Sequence, residues 1–251
     1  MKKIFAMLLA LIMVLAAAGC TNSGNQSSAK DINAKSEGVM TYAEYAAAAQ
    51  YADVKIEAYV QDAQSWWSDK ITVYLADKDG AYFAYEMACS EADAKKLVPG
   101  TKIRVTGVKD EWSGEVELQA GSTFEFVNDG LTYKADPLDV TSMLGSDDLI
   151  KHMNEKVSFK GMKIEAMDDG TSAFYYNWDN SGKDQADADL YFNASYNGQT
   201  YSFVVEYYLR GSDSDVYKAV TNLKVGDTVD MEGFLYWYNG PNPQITSITV
   251  K

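Results

Sequence analysis

An internal repeat is the feature that most limits how this chain can fold. Residues 97–107 and residues 223–233 both read L-x-x-G-x-x-[IV]-x-[VM]-x-G, and every matched position is displaced by 126 residues. The register continues into the next turn, where Trp-Ser-Gly at 112–114 aligns with Tyr-Asn-Gly at 238–240. A shared register that includes a turn indicates two copies of one structural unit.

Alternating apolar residues predict the strands of the first copy, and the alternation is clearest from Val54 to Val60. The predicted elements, in chain order, are strands at 54–60, 71–76 and 81–87, a short helix capped by Ser90, and strands at 102–109 and 115–120. Five strands with a helix between the third and the fourth is the order of the OB-fold, a five-stranded Greek-key barrel.

The second copy repeats this order with a larger first loop. Its predicted elements are strands at 157–164, 189–194 and 199–209, a helix at 214–223, and strands at 227–236 and 244–250. The first strands of the two copies are 103 residues apart and the fourth strands 126, so about 23 residues are inserted within 165–187. Thr41 and Ser146 have the character of helix caps, which predicts a helix before each barrel.

The predicted fold class is therefore mainly β. It consists of two five-stranded OB-fold barrels, each with a short helix between strands three and four and a preceding helix. Domain 1 is predicted at residues 39–135 and domain 2, with the enlarged loop between strands one and two, at 136–251. The boundary is placed there because Pro137 and its polar flank interrupt the strand pattern.

The N-terminus has the layout of a secretory signal peptide at residues 1–19. Lys2 and Lys3 precede an apolar run at 4–18, and small residues lead directly to Cys20. This arrangement resembles the bacterial lipobox, in which the cysteine thiol receives diacylglycerol. The sequence thus predicts a lipoprotein, with acyl chains such as palmitate on Cys20, held on the extracytoplasmic face of the cell membrane. The alternatives are an uncleaved signal anchor and ordinary cleavage with an incidental cysteine.

The region after Cys20 and the overall charge give further expectations. Residues 20–38 are small and polar, which predicts a flexible tether with a reach of roughly 25 Å.

Without residues 1–19 the chain carries 20 basic and 36 acidic residues, a net charge near −16. That charge predicts that nucleic acid is not a partner, because phosphate binding depends on Lys and Arg. Once Cys20 is lipidated, Cys89 has no cysteine left to pair with.

Three motifs carry a resemblance to a known group of proteins. They are the Tyr-x-x-Tyr pattern of Tyr42 and Tyr45, the Asp-Lys-Asp-Gly hairpin at 77–80, and the Trp-Ser-Gly turn at 112–114 after its Leu-Val-Pro-Gly-Thr lead-in. Together they resemble secreted OB-fold lipoproteins of anaerobic Gram-positive bacteria. The resemblance covers residues 40–127 well and the second barrel loosely. It implies a fold and an envelope location, and it carries over no catalytic residue because that group has no settled activity.

Tryptophans mark the predicted binding surface. OB-folds usually bind ligands on strands two and three and the flanking loops, and all five tryptophans fall in such loops. The candidate ligand-binding residues are Trp66, Trp67, Trp112, Trp178, Trp237 and Tyr238. Because exposed rings stack on sugars, we expect a glycan or a cell-wall component as the ligand. Two alternatives stay open: the rings pack within the structure, or the protein is an interaction scaffold or accessory subunit of an envelope complex.

The sequence gives no indication of catalysis or of a cofactor. His152 is the one histidine, and the sequence has no nucleophile elbow, phosphate loop or zinc-ligand spacing. We therefore expect a protein that is not an enzyme and has no cofactor. The acidic stretch with Asp184, Asp187 and Asp189 is a weak candidate for calcium, but it lacks the EF-hand spacing, and a solvated acidic loop also explains it.

Overall fold

Two contacting β-barrels make up residues 31–251, the part of the chain that the computed structural model describes. The predicted signal peptide, the predicted lipidation site Cys20 and the first part of the predicted tether lie outside the described residues. Within residues 31–251, no helix combines the length and the apolar character that crossing a membrane requires.

Barrel 1 follows the predicted order of elements and has a sixth strand after the five predicted ones. Its elements are α1 (Tyr42–Ala47), β1 (Asp53–Ala63), β2 (Lys70–Ala76), β3 (Ala81–Ala88), α2 (Glu91–Ala94), β4 (Lys102–Trp112), β5 (Glu115–Leu118) and β6 (Thr123–Phe126). β1 pairs with both β2 and β4, and β3 runs parallel to β5 through Ala84 and Leu118, which closes the sheet. β6 returns beside β4 after the turn at Gly121.

Barrel 2 has the same closed topology. Its strands are β7 (Leu138–Asp139), β8 (Lys156–Glu165), β9 (Tyr175–Tyr176), β10 (Leu190–Tyr196), β11 (Gln199–Val205), β12 (Thr228–Phe234) and β13 (Gln244–Val250), with α3 (Asp215–Val220) between β11 and β12. β8 pairs with β10 and β12, and β11 runs parallel to β13 through Val204 and Gln244. The enlarged loop after β8 contributes β9, which pairs with β10.

The structure confirms the predicted fold class, and the repeat register holds at the level of single residues. β4 begins at Lys102 and β12 at Thr228, which are 126 residues apart. Leu118 and Gln244, the two positions that close the barrels, are also 126 apart. In the matched turns, Ser113 and Asn239 share a left-handed backbone with φ of 53° and 54°.

Two local predictions in barrel 2 differ from the structure. The helix predicted to begin at Ser146 is replaced by two 3₁₀ helices, Thr141–Met143 and Leu149–His152. Ser146 does not act as a helix cap there, because its hydroxyl accepts the N–H of Asp148 in a local turn. The third strand ends at Val205, four residues earlier than predicted, because the Glu206 carboxylate accepts the N–H groups of the following turn.

The helix before barrel 1 is short but closed at both ends. Thr41 and Glu44 form a capping box at its start. At its end, the buried Lys109 ammonium donates to the carbonyls of Tyr45, Ala46 and Ala48 at 3.0, 2.9 and 2.8 Å. The Tyr45 carbonyl also accepts the Ala48 N–H at 3.2 Å, whereas the Ala46 and Ala48 carbonyls have no partner within the helix, and the lysine satisfies them. The capped helix holds the Tyr45 ring in the barrel 1 core.

Aromatic packing joins the two barrels. The Tyr74 ring of β2 stacks on the Phe234 ring of β12, with centroids 4.2 Å apart and planes 9° apart. The Tyr74 hydroxyl donates to Oε1 of Gln244 at 2.9 Å. Phe83 and Leu209 complete this buried cluster, and an Arg210–Asp62 ion pair lies across the same interface. The barrels therefore share a small hydrophobic core, which we call the seam.

The two matched turns of the repeat also meet at the seam. The Asn239 N–H donates to the Ser113 carbonyl at 2.7 Å, and the Trp112 and Tyr238 rings lie 5.1 Å apart. A Cβ on Gly114 would come within 2.8 Å of the Trp237 ring, so the close approach requires glycine there. Equivalent pieces of the two copies thus contact each other.

The end of the predicted tether contacts barrel 1. Lys35 pairs with the buried Asp77 carboxylate at 2.6 Å, and the Tyr59 hydroxyl donates to the carbonyl of Ile32 at 3.0 Å. The side chain of Asn33 accepts the N–H of Lys78 at 3.1 Å. Residues 32–35 are thus held against barrel 1, whereas the sequence predicts a flexible tether that extends to residue 38.

The seam should contribute strongly to stability. We predict that Phe234→Ala lowers the free energy of unfolding by about 3–5 kcal/mol, because it empties a fully buried ring position in the seam. Urea denaturation measures the loss. Trp178→Ala, which removes a ring that is 74% exposed, should stay within about 0.5 kcal/mol of the wild type. A Phe234→Ala loss near that of the control would mean that the stack does not hold the barrels.

Candidate functional site

A groove of about 540 Å³ lies along the seam and takes its walls from both barrels. Barrel 1 contributes Gln64, Ser65, Trp67, Lys70, Ile71, Thr72, Phe83, Tyr85, Glu86 and Trp112, and barrel 2 contributes Asp189, Glu206, Tyr208, Tyr236 and Gln244. On barrel 1 these residues come from β2, β3 and the two flanking loops, which is the usual binding face of an OB-fold. The volume of the groove falls within the range of small-molecule binding sites.

Two of the predicted tryptophans line this groove. Trp67 and Trp112 are 59% and 54% exposed, so their rings are open to a ligand. Tyr238 lies beside Trp112 at the rim. Tyr85 and Tyr208 add two further exposed rings to the walls.

The other predicted tryptophans have different surroundings. Trp66 packs against the barrel 1 core, and its Nε1–H donates to the carbonyl of Cys89 at 2.8 Å. The backbone N–H of Trp237 donates to the Glu115 carboxyl in the seam. Trp178 is largely exposed and does not line the groove. The structure therefore places Trp67 and Trp112 in the groove walls with Tyr238 beside Trp112, whereas Trp66, Trp237 and Trp178 do not line the groove.

Two carboxylates of barrel 2 line the opposite wall. Glu206 accepts the Leu209 N–H at 2.6 Å and the Gln64 side-chain amide at 3.2 Å. Burial, and then the charge of Asp189, raise the pKa of Glu206 to about 7. Burial also raises the pKa of Asp189, which accepts the Tyr207 N–H at 2.8 Å. Within residues 31–251, neither carboxylate forms a salt bridge.

The groove already holds one ammonium group of the chain itself. The Lys70 Nζ lies 4.9 Å from the centre of the Trp67 ring and 2.8 Å from Oε2 of Glu86. The ring quadrupole attracts a cation at this distance, and the carboxylate balances its charge. Lys70 therefore shows that the aromatic and acidic walls of the groove accommodate an ammonium group.

The calcium candidates do not form a cluster. Asp189 faces the groove, whereas Asp187 lies near the Tyr208 hydroxyl at 3.5 Å and Asp184 is exposed. In the described part of the chain, no group of three or more His, Cys, Asp or Glu side chains is arranged to hold a metal ion. Cys89 is buried, and burial raises the pKa of its thiol to about 11, which keeps it unreactive.

Sequence reasoning missed most of the groove. Tyr85 lies on β3, whereas Glu206 and Tyr236 follow β11 and β12, and no spacing along the chain connects the three residues. Asp189 was singled out for calcium, which is a different chemistry. The one usable signal is the aromatic enrichment at the loops, which includes Trp67 and Trp112 of the groove walls.

Comparison with known proteins adds information on the fold. Neither a protein-family model nor a curated protein matches the chain. Solved structures with a similar arrangement include the HINb domain of p204, at 10% identity and a TM-score of 0.38, covering 80% of this chain and 99% of that one. A murine DNA-binding protein bound with double-stranded DNA shares 13% identity, with a TM-score of 0.37 and coverages of 78% and 97%.

A third similar structure is a replication protein A heterotrimer bound to single-stranded DNA. It shares 11% identity at a TM-score of 0.32, and the match covers 80% of this chain and 49% of that one. These comparisons contradict two predictions from the sequence: a glycan or envelope partner as the ligand, and the exclusion of nucleic acid as a partner. Both predictions are withdrawn. At 10–13% identity the likeness extends to the fold alone.

The two adjacent tryptophans should respond differently to substitution. We predict that Trp66→Ala costs about 2–3 kcal/mol of unfolding free energy, since it removes core packing and a hydrogen bond to Cys89. Trp67→Ala should cost less than about 1 kcal/mol, because the ring is mostly exposed and contacts the Lys70 ammonium. Urea denaturation measures both losses. Equal losses of unfolding free energy in the two variants would contradict a core role for Trp66 and a groove role for Trp67.

Proposed function

We propose that the protein is a binding protein whose groove takes an organic cation, such as a protonated amine. The observation that carries this proposal is the pair Asp189 and Glu206, which line an aromatic groove and form no salt bridge with any residue of 31–251. Burial makes both carboxylates harder to ionise, and the charge of Asp189 adds to this cost for Glu206. A ligand with positive charge relieves both costs at once.

The aromatic walls favour the same ligand class. A protonated amine placed between the carboxylates also meets ring faces, and cation–π attraction adds to the charge pairing. The contact of Lys70 with Trp67 and Glu86 is an example of this arrangement inside the groove. The strongly acidic chain also draws cations toward its surface and raises their local concentration.

Spermidine is a suitable probe, and isothermal titration of the full chain measures its affinity. We predict that Glu206→Gln and Asp189→Asn each weaken spermidine binding about tenfold, because each removes one charge-assisted contact. Affinity should also rise between about pH 6 and pH 8, as Glu206 ionises through its pKa of about 7.

Glu91→Gln is the matched control, since Glu91 is an exposed acid on α2 away from the groove. It should leave spermidine affinity unchanged. Single-stranded and double-stranded DNA oligonucleotides form a separate arm of the titration. The proposal fails if the groove variants bind spermidine like the wild type, or if DNA binds and spermidine does not.

We also propose that the protein is a lipoprotein held on the extracytoplasmic face of the membrane through Cys20. The charged, apolar and small-residue order of residues 1–19 supports this location. So does the resemblance of the first barrel to secreted OB-fold lipoproteins. An anchored binding protein collects its ligand close to the membrane surface.

Metabolic labelling with a palmitate analogue tests the anchor. We predict that Cys20→Ser abolishes labelling and moves the protein from the membrane fraction to the soluble fraction, because two or more acyl chains are needed for stable attachment. Cys89→Ser replaces the other cysteine and should keep both labelling and membrane attachment. Labelling that persists in Cys20→Ser would contradict the proposed site.

A further inference from the structure

Two buried polar side chains face each other across the seam. Glu115, the first residue of β5 in barrel 1, has no exposed surface, and Asn154, which precedes β8 in barrel 2, is 4% exposed. The Glu115 Oε2 accepts the Trp237 N–H at 2.9 Å. The Asn154 Nδ2 donates to the carbonyl of Val116 at 3.2 Å. Both residues therefore already bridge the barrels through one of their polar atoms.

Their remaining polar atoms lack partners. Among the side chains of residues 31–251, three buried atoms have no hydrogen-bond partner: Oε1 of Glu115, Oδ1 of Asn154 and the hydroxyl of Tyr45. An unpaired buried polar atom costs about as much as a lost hydrogen bond, so two such atoms in neighbouring groups call for an explanation. As a carboxylate, Glu115 has no proton with which to satisfy the acceptor Oδ1 of Asn154.

We infer that Glu115 and Asn154 form a proton-dependent link between the barrels, in which the neutral Glu115 acid donates from Oε1 to Oδ1 of Asn154. One proton gives both atoms a partner. The amide orientation needed for this bond is also the one that lets Nδ2 reach Val116. The backbone places the amide, since Asn154 has a left-handed φ of 66° and its N–H donates to Leu235 at 2.9 Å.

The surroundings keep this acid neutral. Burial raises the pKa of Glu115 to about 8, against opposing hydrogen bonds to its ionised form from Asn154 and Trp237, and the charge of Glu117 adds to the rise. The hydroxyls of Tyr45, Tyr74 and Tyr236 interact with the same carboxyl, and none brings a positive charge. The Lys109 ammonium is bound to the carbonyls at the end of α1.

Loss of the proton changes the seam. Without its proton the carboxylate cannot donate to Oδ1 of Asn154, so this link is lost, although the Asn154 side chain still hydrogen-bonds to the ionised form. A charge also remains between the barrels without a cation beside it. Trp112, the cross-strand partner of Glu115, belongs to the groove wall, so the change reaches the edge of the groove.

The sign of the pH dependence follows from the proton count. Between the pKa of an unfolded glutamate and about 8, the native state holds a proton that the unfolded state lacks. Stability is therefore highest below the unfolded pKa and falls as pH rises through the folded one. The folding equilibrium constant should drop by up to about tenfold per pH unit within this window.

Glu115→Gln tests the link in the full chain, because the glutamine amide donates to Oδ1 of Asn154 at every pH. We expect the fall in urea midpoint between about pH 6 and pH 9 to flatten in this variant and tryptophan fluorescence to lose its step near pH 8. Carbon NMR of the Glu115 carboxyl in the wild type should titrate near the same pH.

Two matched variants separate this link from nearby groups. Glu117→Gln changes an acid on the same strand whose pKa is raised to about 7, and Tyr45→Phe removes the third unpaired atom. Both should keep the step near pH 8. The inference is overturned if Glu115→Gln keeps that step, or if the Glu115 carboxyl titrates near 4.5 in the folded protein.

Discussion

The stack of Tyr74 on Phe234 fixes the relation between the barrels, and the rest of the structure depends on it. Each barrel has its own closed core, so neither needs the other to bury its strands. The seam adds a shared cluster, and the Tyr74 hydroxyl is satisfied by Gln244 of the other barrel. Because a buried phenol needs a partner, this bond selects one orientation among the many that apolar contact alone would allow.

That orientation concentrates acids where water is partly excluded. Glu115, Glu117, Asp189 and Glu206 all lie at or near the seam, and burial raises the pKa of each. The two that line the open groove are those we propose for the ligand, whereas Glu115 is closed off from solvent and is the acid we infer to hold a proton. The same physical cause, desolvation of a carboxyl, thus leads to two roles that depend on access to solvent.

The sequence predicted the fold more fully than the site. Strand order, closure and the matched turns follow from the alternation of apolar residues and the 126-residue repeat, both of which are local or periodic signals. The prediction that grouped all the tryptophans treated Trp66 and Trp67 alike. Adjacent residues on a loop point in different directions, and only the packed barrel decides that Trp66 faces the core while Trp67 faces the groove.

The sequence by itself determined two OB-fold barrels, their order of elements and the place of the insertion, because strand periodicity and turn residues act over short distances. It also determined the acidic character of the surface. Only the tertiary structure decided which acids lose their solvent, which rings face one another and where the groove lies. Those properties depend on residues such as Glu206 and Trp67, which line the same groove. These two residues are 139 positions apart in the chain, and no spacing in the sequence indicates that they are neighbours.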